Sequence, residues 1–228
     1  MEHQRDPLTS AEEEDNMPSF TNIREQPEVD IVSGFLSQDR KTERDKTMER
    51  FLRKWAIYLL LDCSSSMTGK SMATMKAKLD DLLNDLKTDP TSLEIAWLSV
   101  ITFGNDATQL VPLTEISDFQ IPALKSGGDA NLGKAFMLLN QCISEEIRKS
   151  TSTHKGDYIP CWIVVISNGN FSGVWESAVG VLNRNWKVKV VAAPCGHNVM
   201  LENLEKISSE ILDIGERISD TVMPRFYS

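Results

Sequence analysis

From Trp55 onward the chain alternates between short unbroken apolar runs and longer stretches in which apolar residues recur at three- and four-residue steps. Runs of the first kind read as buried strands and stretches of the second as amphipathic helices. Their alternation predicts an α/β fold around a mostly parallel sheet. Ala56 to Leu61 is the first strand. Met72, Met75, Leu79, Leu82, Leu83 and Leu86 then mark a helix that ends at Asp89-Pro90. Ile95 to Phe103 is a second strand, and Ala107 to Val111, with Pro112 just beyond it, is a short edge strand. Leu132, Phe136, Leu139, Ile143 and Ile147 set out a second helix. Cys161 to Ile166 and Val188 to Ala193 are strands on either side of a helix from Ser172 to Leu182, and Leu201 to Ile207 is a short final helix.

The first fifty residues follow neither pattern. Apart from Val29 to Leu36 they hold few clustered apolar side chains, too few to offset the entropy of ordering them. We therefore expect an acidic tail over residues 1–50, with Asp39 to Lys54 as a charged helix feeding the first strand, and a single domain over residues 51–228. With 228 residues and 41% hydrophobic composition, the chain is long enough for one sizeable core and cramped for two. Of the net charge of −9, most lies in the tail, where residues 1–30 carry nine acids against two bases. The nearly neutral body offers no basic stripe for a phosphate backbone, which argues against nucleic acid as a partner.

Cys63, Cys142, Cys161 and Cys195 form no Cys-x-x-Cys pair, and each sits in or beside an apolar segment, as buried reduced thiols do. The N-terminus leads into acidic residues without an apolar core region, and no stretch approaches the roughly eighteen apolar residues of a membrane span. The expectation is a cytoplasmic protein.

The end of the first strand carries the chemistry. Asp62-Cys63-Ser64-Ser65-Ser66 presents one carboxylate and two spaced hydroxyls at the tip of a buried strand. Oxygen ligands of this kind suit magnesium, although serines after a strand also serve as helix caps. Asp-x-Ser-x-Ser in this position resembles the metal-ion-dependent adhesion site of von Willebrand factor A domains. The likeness widens along the chain, and it is to the TerY-type von Willebrand A proteins linked to tellurium resistance and chemical stress. Tyr58 to Met67, Asp89-Pro90, Leu98 to Phe103, Val111-Pro112-Leu113-Thr114 with Phe119 and Pro122, Gly127-Gly128, Leu132 to Ala135, Gly156 to Pro160 and Trp175 follow that family's order and spacing. The resemblance implies a three-layer sandwich: a mostly parallel central sheet with one antiparallel edge strand, helices on both faces, and the site at the C-terminal strand ends. It also implies a protein kinase and a PP2C-like phosphatase as partners.

Against that family pattern the site is altered. The family's threonine two positions before the Leu-Gly of the second loop is here Ala130, whose methyl cannot ligate a metal. Its Thr-Asp-Gly turn is here Ser167-Asn168-Gly169, which exchanges a carboxylate for an amide, and the following Pro-Thr-Asp becomes Phe171-Ser172-Gly173. Asp62, Ser64 and Ser66 remain, with Asn168 neutral. Asp129 is either a substitute ligand or a solvated cap for the helix beginning at Asn131-Leu132. The expected site binds magnesium weakly or not at all.

Enzymatic machinery is not legible. The only histidines are His3 in the tail, His154 in a polar loop and His197 after the fifth strand, and there is no Gly-x-Ser-x-Gly elbow or Walker-type loop. Trp55, Trp97, Trp162 and Trp186 lie in or beside strands and read as packing, whereas Trp175 reads either as packing or as an exposed anchor for a partner. The sequence therefore points to a non-catalytic, protein-binding adaptor of a bacterial stress-response or defence system. Its recognition face would comprise Asp129, Ala130, Asn168, Trp175 and His197. The rival readings are a working magnesium-dependent adhesion module and, from another class, a metal-assisted hydrolase built on Asp62 and Asp129.

Overall fold

The structure is a computed structural model, and it describes residues 54–147, 161–208 and 210–212. The tail of residues 1–50, with Val29 to Leu36 and nearly all of Asp39 to Lys54, lies outside the described residues, as do His3 and His154.

Five strands form one sheet: β1 (Trp55–Asp62), β2 (Ala96–Phe103), β3 (Ala107–Glu115), β4 (Cys161–Ser167) and β5 (Val188–Pro194), in the spatial order β3-β2-β1-β4-β5. The pairs β1–β2, β1–β4 and β4–β5 are parallel, and β3 runs antiparallel to β2 at the edge. β1 is buried along its whole length because it is central in the sheet and covered on both faces, which is why it reads as an unbroken apolar run and not as an alternating one.

Its alternate residues feed two cores. Ile57, Leu59 and Leu61 meet Met75, Leu79, Leu82 and Leu86 of α1 (Lys70–Thr88) on one face. Ala56, Tyr58 and Leu60 face Phe136, Leu139 and Ile143 of α3 (Leu132–Glu146) and Leu182 of α4 (Glu176–Asn185) on the other, where Leu204 and Ile207 of α5 (Leu201–Ile207) also pack. The expected three-layer sandwich with one antiparallel edge strand is the observed architecture.

Three element boundaries differ from the sequence expectation. Asp89-Pro90 ends α1 but also begins α2 (Pro90–Ile95), since the Asp89 carboxylate accepts from the Ser92 N–H at 2.7 Å and Pro90 occupies the first helical turn. β3 does not stop before Pro112; it continues to Glu115. The proline lies on an exposed edge, where it has no ladder bond to give, and the register slips opposite it between Leu98 and Ile101. The Leu113 N–H beyond it is taken up by the Glu146 carboxylate of α3 at 3.1 Å. The same carboxylate accepts from the Tyr58 hydroxyl at 2.6 Å and from Gln109 at 2.9 Å, so one side chain ties the edge strand to the central strand through the helix. Finally, α4 starts at Glu176 and not at Ser172, because Gly173 adopts φ +76° and the Ser172 N–H is committed to the Ala130 carbonyl.

Candidate functional site

The parallel strands β1, β4 and β5 and their neighbour β2 all end on the same side of the sheet, and the loops that follow are stitched together by main-chain bonds. Cys63 N–H donates to Phe103 O, Ser65 N–H to Gly128 O and Gly127 N–H to Cys63 O. Ser172 N–H donates to Ala130 O, and Met200 N–H to Asn168 O at 2.7 Å. Two glycines permit this closeness. Gly128 (φ +77°) would drive a β-carbon to 2.5 Å from the Asn105 side chain, and Gly169 (φ +78°) to 2.4 Å from Met200 O. Open-sheet α/β folds gather their ligand sites at such strand ends.

Asp62 is fully buried at the end of β1, and both of its oxygens are engaged inside the protein. Oδ1 accepts from the Ser64 N–H at 2.9 Å and Oδ2 from the Ser167 hydroxyl at 2.5 Å. Burial raises the Asp62 carboxyl above its ordinary 3.8, against which the hydrogen bonds from Ser167 and Ser64 pull it down. The Ser64 and Ser66 hydroxyls lie 2.9 Å apart. Ser66 also accepts from the Asn168 side-chain N–H at 3.1 Å, while Asn168 Oδ1 accepts from the Asn170 N–H at 3.0 Å. The latter bond fixes the amide's orientation: turned over, its NH2 group would face a main-chain N–H, two donors head to head.

The donor set therefore fits a divalent ion only in part. Two octahedral cis ligands at about 2.05 Å from magnesium would be roughly 2.9 Å apart, which the two serine hydroxyls match. The rest opposes it. Asn168 points hydrogens, not a lone pair, at the hydroxyl pair; Ala130 offers a methyl buried in the core; and Asp62 already has a partner for each oxygen. Among the described residues no three His, Cys, Asp or Glu side chains cluster as a metal site would. The residues present do not fit a tightly held divalent cation.

Above the hydroxyls a cleft of about 180 Å³ is lined by Ser64 to Ser66, Gly128 to Ala130 and Asn170 to Ser172. Of the residues predicted for the recognition face, Asp129 borders it and is exposed. The α3 cap is Asn131, whose side chain accepts from the Lys134 N–H, so the capping alternative for Asp129 does not hold. Three other members of that face are corrected. Ala130 (3% exposed), Asn168 (3%) and Trp175 (6%) are buried, so none presents its side chain to a partner. Trp175 stacks edge-on against Phe171 at 5.8 Å, and Phe171 in turn packs on Phe103 at 6.5 Å, which is the packing reading of that tryptophan. His197 is exposed in the loop after β5 but is not part of the cleft lining.

Sequence reasoning passed over Ser167, whose hydroxyl bonds both Asp62 and the Gly169 N–H, although it stands where the family has a threonine hydroxyl. It also passed over Asn105, which holds the Asp129 N–H at 2.7 Å and carries no local signal for that role. The four cysteines are free and buried, with Cys63 pushed up to about 12 and Cys142 to about 11 by desolvation, as inert thiols are.

A central parallel sheet with a hydroxyl-bearing loop at its C-terminal edge defines a class of ligand-recognition domain. The family model for the von Willebrand factor type A domain matches residues 56–216, and the chain belongs to that family. Such domains commonly serve as protein-interaction or adhesion modules. No curated protein matches the sequence.

Solved structures share the fold at low identity. Manganese-loaded TRAP protein of Plasmodium vivax is 12% identical over 73% of this chain and 71% of its own, with a TM-score of 0.54. Proximal thread matrix protein 1 from the mussel byssus, with a zinc-occupied MIDAS motif, is 16% identical over 75% of this chain and 44% of its own (TM-score 0.50). An aerotolerance-related membrane protein of Bacteroides fragilis is 16% identical over 70% of this chain and 92% of its own (TM-score 0.49). Among the described residues of the present chain, no helix is long and apolar enough to cross a membrane.

Proposed function

We propose that this chain is a non-catalytic, cytoplasmic adaptor of the TerY type in a bacterial stress-response or defence system. In it, the former metal face works as a metal-poor surface for a protein partner. The observation that carries this reading is the orientation of Asn168, whose amide hydrogens occupy the side of Ser66 that a cation's ligand shell would need. Around it the architecture of the face is kept, with the serine loop, the stitched loops and an open cleft, which is what a surface still in use for binding would retain. Family resemblance supplies a protein kinase and a PP2C-like phosphatase as the candidate partners. A catalytic role lacks support, since His197 lies outside the cleft and Asp62 is committed to two internal bonds.

One observation favours a second reading, a magnesium-dependent adhesion-type module. The 2.9 Å spacing of the Ser64 and Ser66 hydroxyls suits two cis ligands, and Asp129 stands at the cleft to add a charge. Co-purification from the native host with the full chain separates the two. Partner recovery should be unaffected by a chelator and lost in Asp129→Arg, whose exposed side chain leaves the melting temperature within a degree or two. Recovery abolished by the chelator would establish the adhesion-type reading. Undiminished recovery with Asp129→Arg, and with Asn170→Arg on the opposite lip, would remove this face as the binding site.

A further inference from the structure

We propose that Asn168 is a self-modification site: the Gly169 main-chain nitrogen closes on the Asn168 side-chain carbonyl carbon, ammonia leaves, and water opens the resulting succinimide to a carboxylate. This goes beyond the reading above, which describes the chain as synthesised, before the amide is lost.

Asn168 is the one asparagine of the chain that a glycine follows. Glycine matters because its nitrogen must come against Cγ of the asparagine, and a β-carbon on the attacking residue obstructs that approach. Connectivity places the two atoms in a five-membered ring, so closure is intramolecular and depends on orientation, not encounter. The Asn168 Oδ1 accepts from the Asn170 N–H at 3.0 Å, which folds the side-chain carbonyl back over the peptide that contains the Gly169 nitrogen.

Around that pair stand the groups the reaction uses. An amide nitrogen becomes a nucleophile by giving up its proton. The Gly169 N–H donates to the Ser167 hydroxyl at 2.9 Å, and that hydroxyl donates to Asp62 Oδ2 at 2.5 Å, so the proton has a path from the nitrogen through Ser167 to a carboxylate. The Asn170 N–H already sits on Oδ1, the atom that takes up negative charge as the nitrogen adds. The departing nitrogen, Nδ2, donates at 3.1 Å to the Ser66 hydroxyl. Ser66 is exposed and lines the cleft, so ammonia has an exit and water an entry although Asn168 itself is buried.

In the first step the N–Cγ bond forms and the Cγ–Nδ2 bond breaks. As the Gly169 proton moves to Ser167 and the Ser167 proton to Asp62, Nδ2 takes a proton from cleft water and leaves as ammonia, and Asp62 returns its proton to the hydroxide so formed. In the second step one water adds across a succinimide C–N bond and gives aspartate or isoaspartate. Nothing is oxidised or reduced. Either product has an oxygen where the NH2 group stood, so the donor directed at Ser66 is withdrawn.

The test starts from full chain made by cell-free synthesis and held at neutral pH. Peptide mapping by mass spectrometry follows the conversion of Asn168, with released ammonia as a second readout. The same chain unfolded in guanidinium, and a peptide of residues 165–171, give the rate without the fold. The folded chain should convert at least about tenfold faster than either, a small part of what one positioned proton acceptor supplies. Ser167→Ala should fall to the peptide rate while Ser167→Thr, which keeps the hydroxyl, stays fast, and thermal scans check that both variants fold. The proposal is overturned if the folded chain converts no faster than the unfolded one, or if Ser167→Ala speeds conversion, since the bond to Ser167 would then protect the amide. Should Ser167→Ala not fold, the comparison of folded with unfolded wild type decides alone.

Discussion

Placing metal-binding side chains at positions 130 and 168 should make the stability of the domain respond to magnesium. The perturbation is the double variant Ala130→Thr with Asn168→Asp. At position 168 an aspartate still accepts from the Asn170 N–H with one oxygen and turns the other, now an acceptor, toward Ser66 in place of the amide hydrogens. At position 130 the threonine hydroxyl adds a third neutral oxygen. The site would then offer three hydroxyls and two carboxylates, Asp62 included.

Without metal the double variant should be less stable than the parent by about 1–3 kcal/mol. A larger side chain enters a site that is 3% exposed, and a second carboxylate joins the buried Asp62. With metal the balance reverses. A ligand at one hundred times its dissociation constant stabilises by about 2.7 kcal/mol, so 10 mM magnesium and a constant near 0.1 mM give a rise in melting temperature of roughly 5–10 °C. For the parent, a constant of about 10 mM or weaker corresponds to about 0.4 kcal/mol and a shift of roughly 1–2 °C at most. Thermal scans of both proteins with 0, 1 and 10 mM magnesium, and calcium as a control, make the comparison. A parent that gains more than about 3 °C in an Asp62-dependent way would refute the account of Asn168 and Ala130, as would a folded double variant that ignores magnesium.

Two further expectations concern stability. Tyr58→Phe removes the hydrogen bond to the Glu146 carboxylate and should cost about 1.5–3 kcal/mol in urea unfolding, with Glu146→Ala costing more because it leaves the Tyr58 hydroxyl, Gln109 and the Leu113 N–H without that acceptor. A Glu146→Ala loss below about 0.5 kcal/mol would contradict the anchoring role. Asp62 sets a pH signature: its folded pKa is raised above the ordinary 3.8, so the folded state holds the proton that the unfolded state gives up. Its contribution to stability is complete below the unfolded value and declines as pH rises through the folded one. Measured as the difference from Asp62→Asn, wild-type stability should fall with rising pH from about 4 upward. A difference that is flat or that grows with pH would show the carboxylate to be stabilised by its bonds more than it is penalised by burial.

The sheet and its helices were legible because each rests on a local period. β1 had to be an unbroken apolar run once it was central and covered on both faces, and the Met and Leu steps of α1 had to recur where they face one core. The short α2 was not read, because Asp89-Pro90 registers in that pattern only as a helix stop, although a capping residue followed by a proline at the first helical position also starts one. The reach of β3 past Pro112 was not signalled. It depends on a carboxylate from Glu146, more than thirty residues further along, which no local window contains. The late start of α4 likewise follows from a tertiary bond, Ser172 to Ala130, that fixes the turn before the helix.

At the site, sequence supplies the identity of each donor and acceptor but not the direction in which it points. Aspartate to asparagine at position 168 looks like the loss of one charge with a ligating oxygen retained. In the structure the oxygen is spent on the Asn170 N–H, and what faces Ser66 is the amide nitrogen, so the position changes from accepting to donating. That difference matters more than the charge. A weakened acceptor still attracts a cation, whereas an N–H directed at the same hydroxyl repels one and also satisfies a lone pair that a metal would use. Ala130 acts in the same sense, because its methyl offers the cleft no oxygen while its carbonyl, bonded to Ser172, serves the loops. Together the two positions keep the loops tied to one another while withdrawing acceptors from the side of Ser66 that a cation would use.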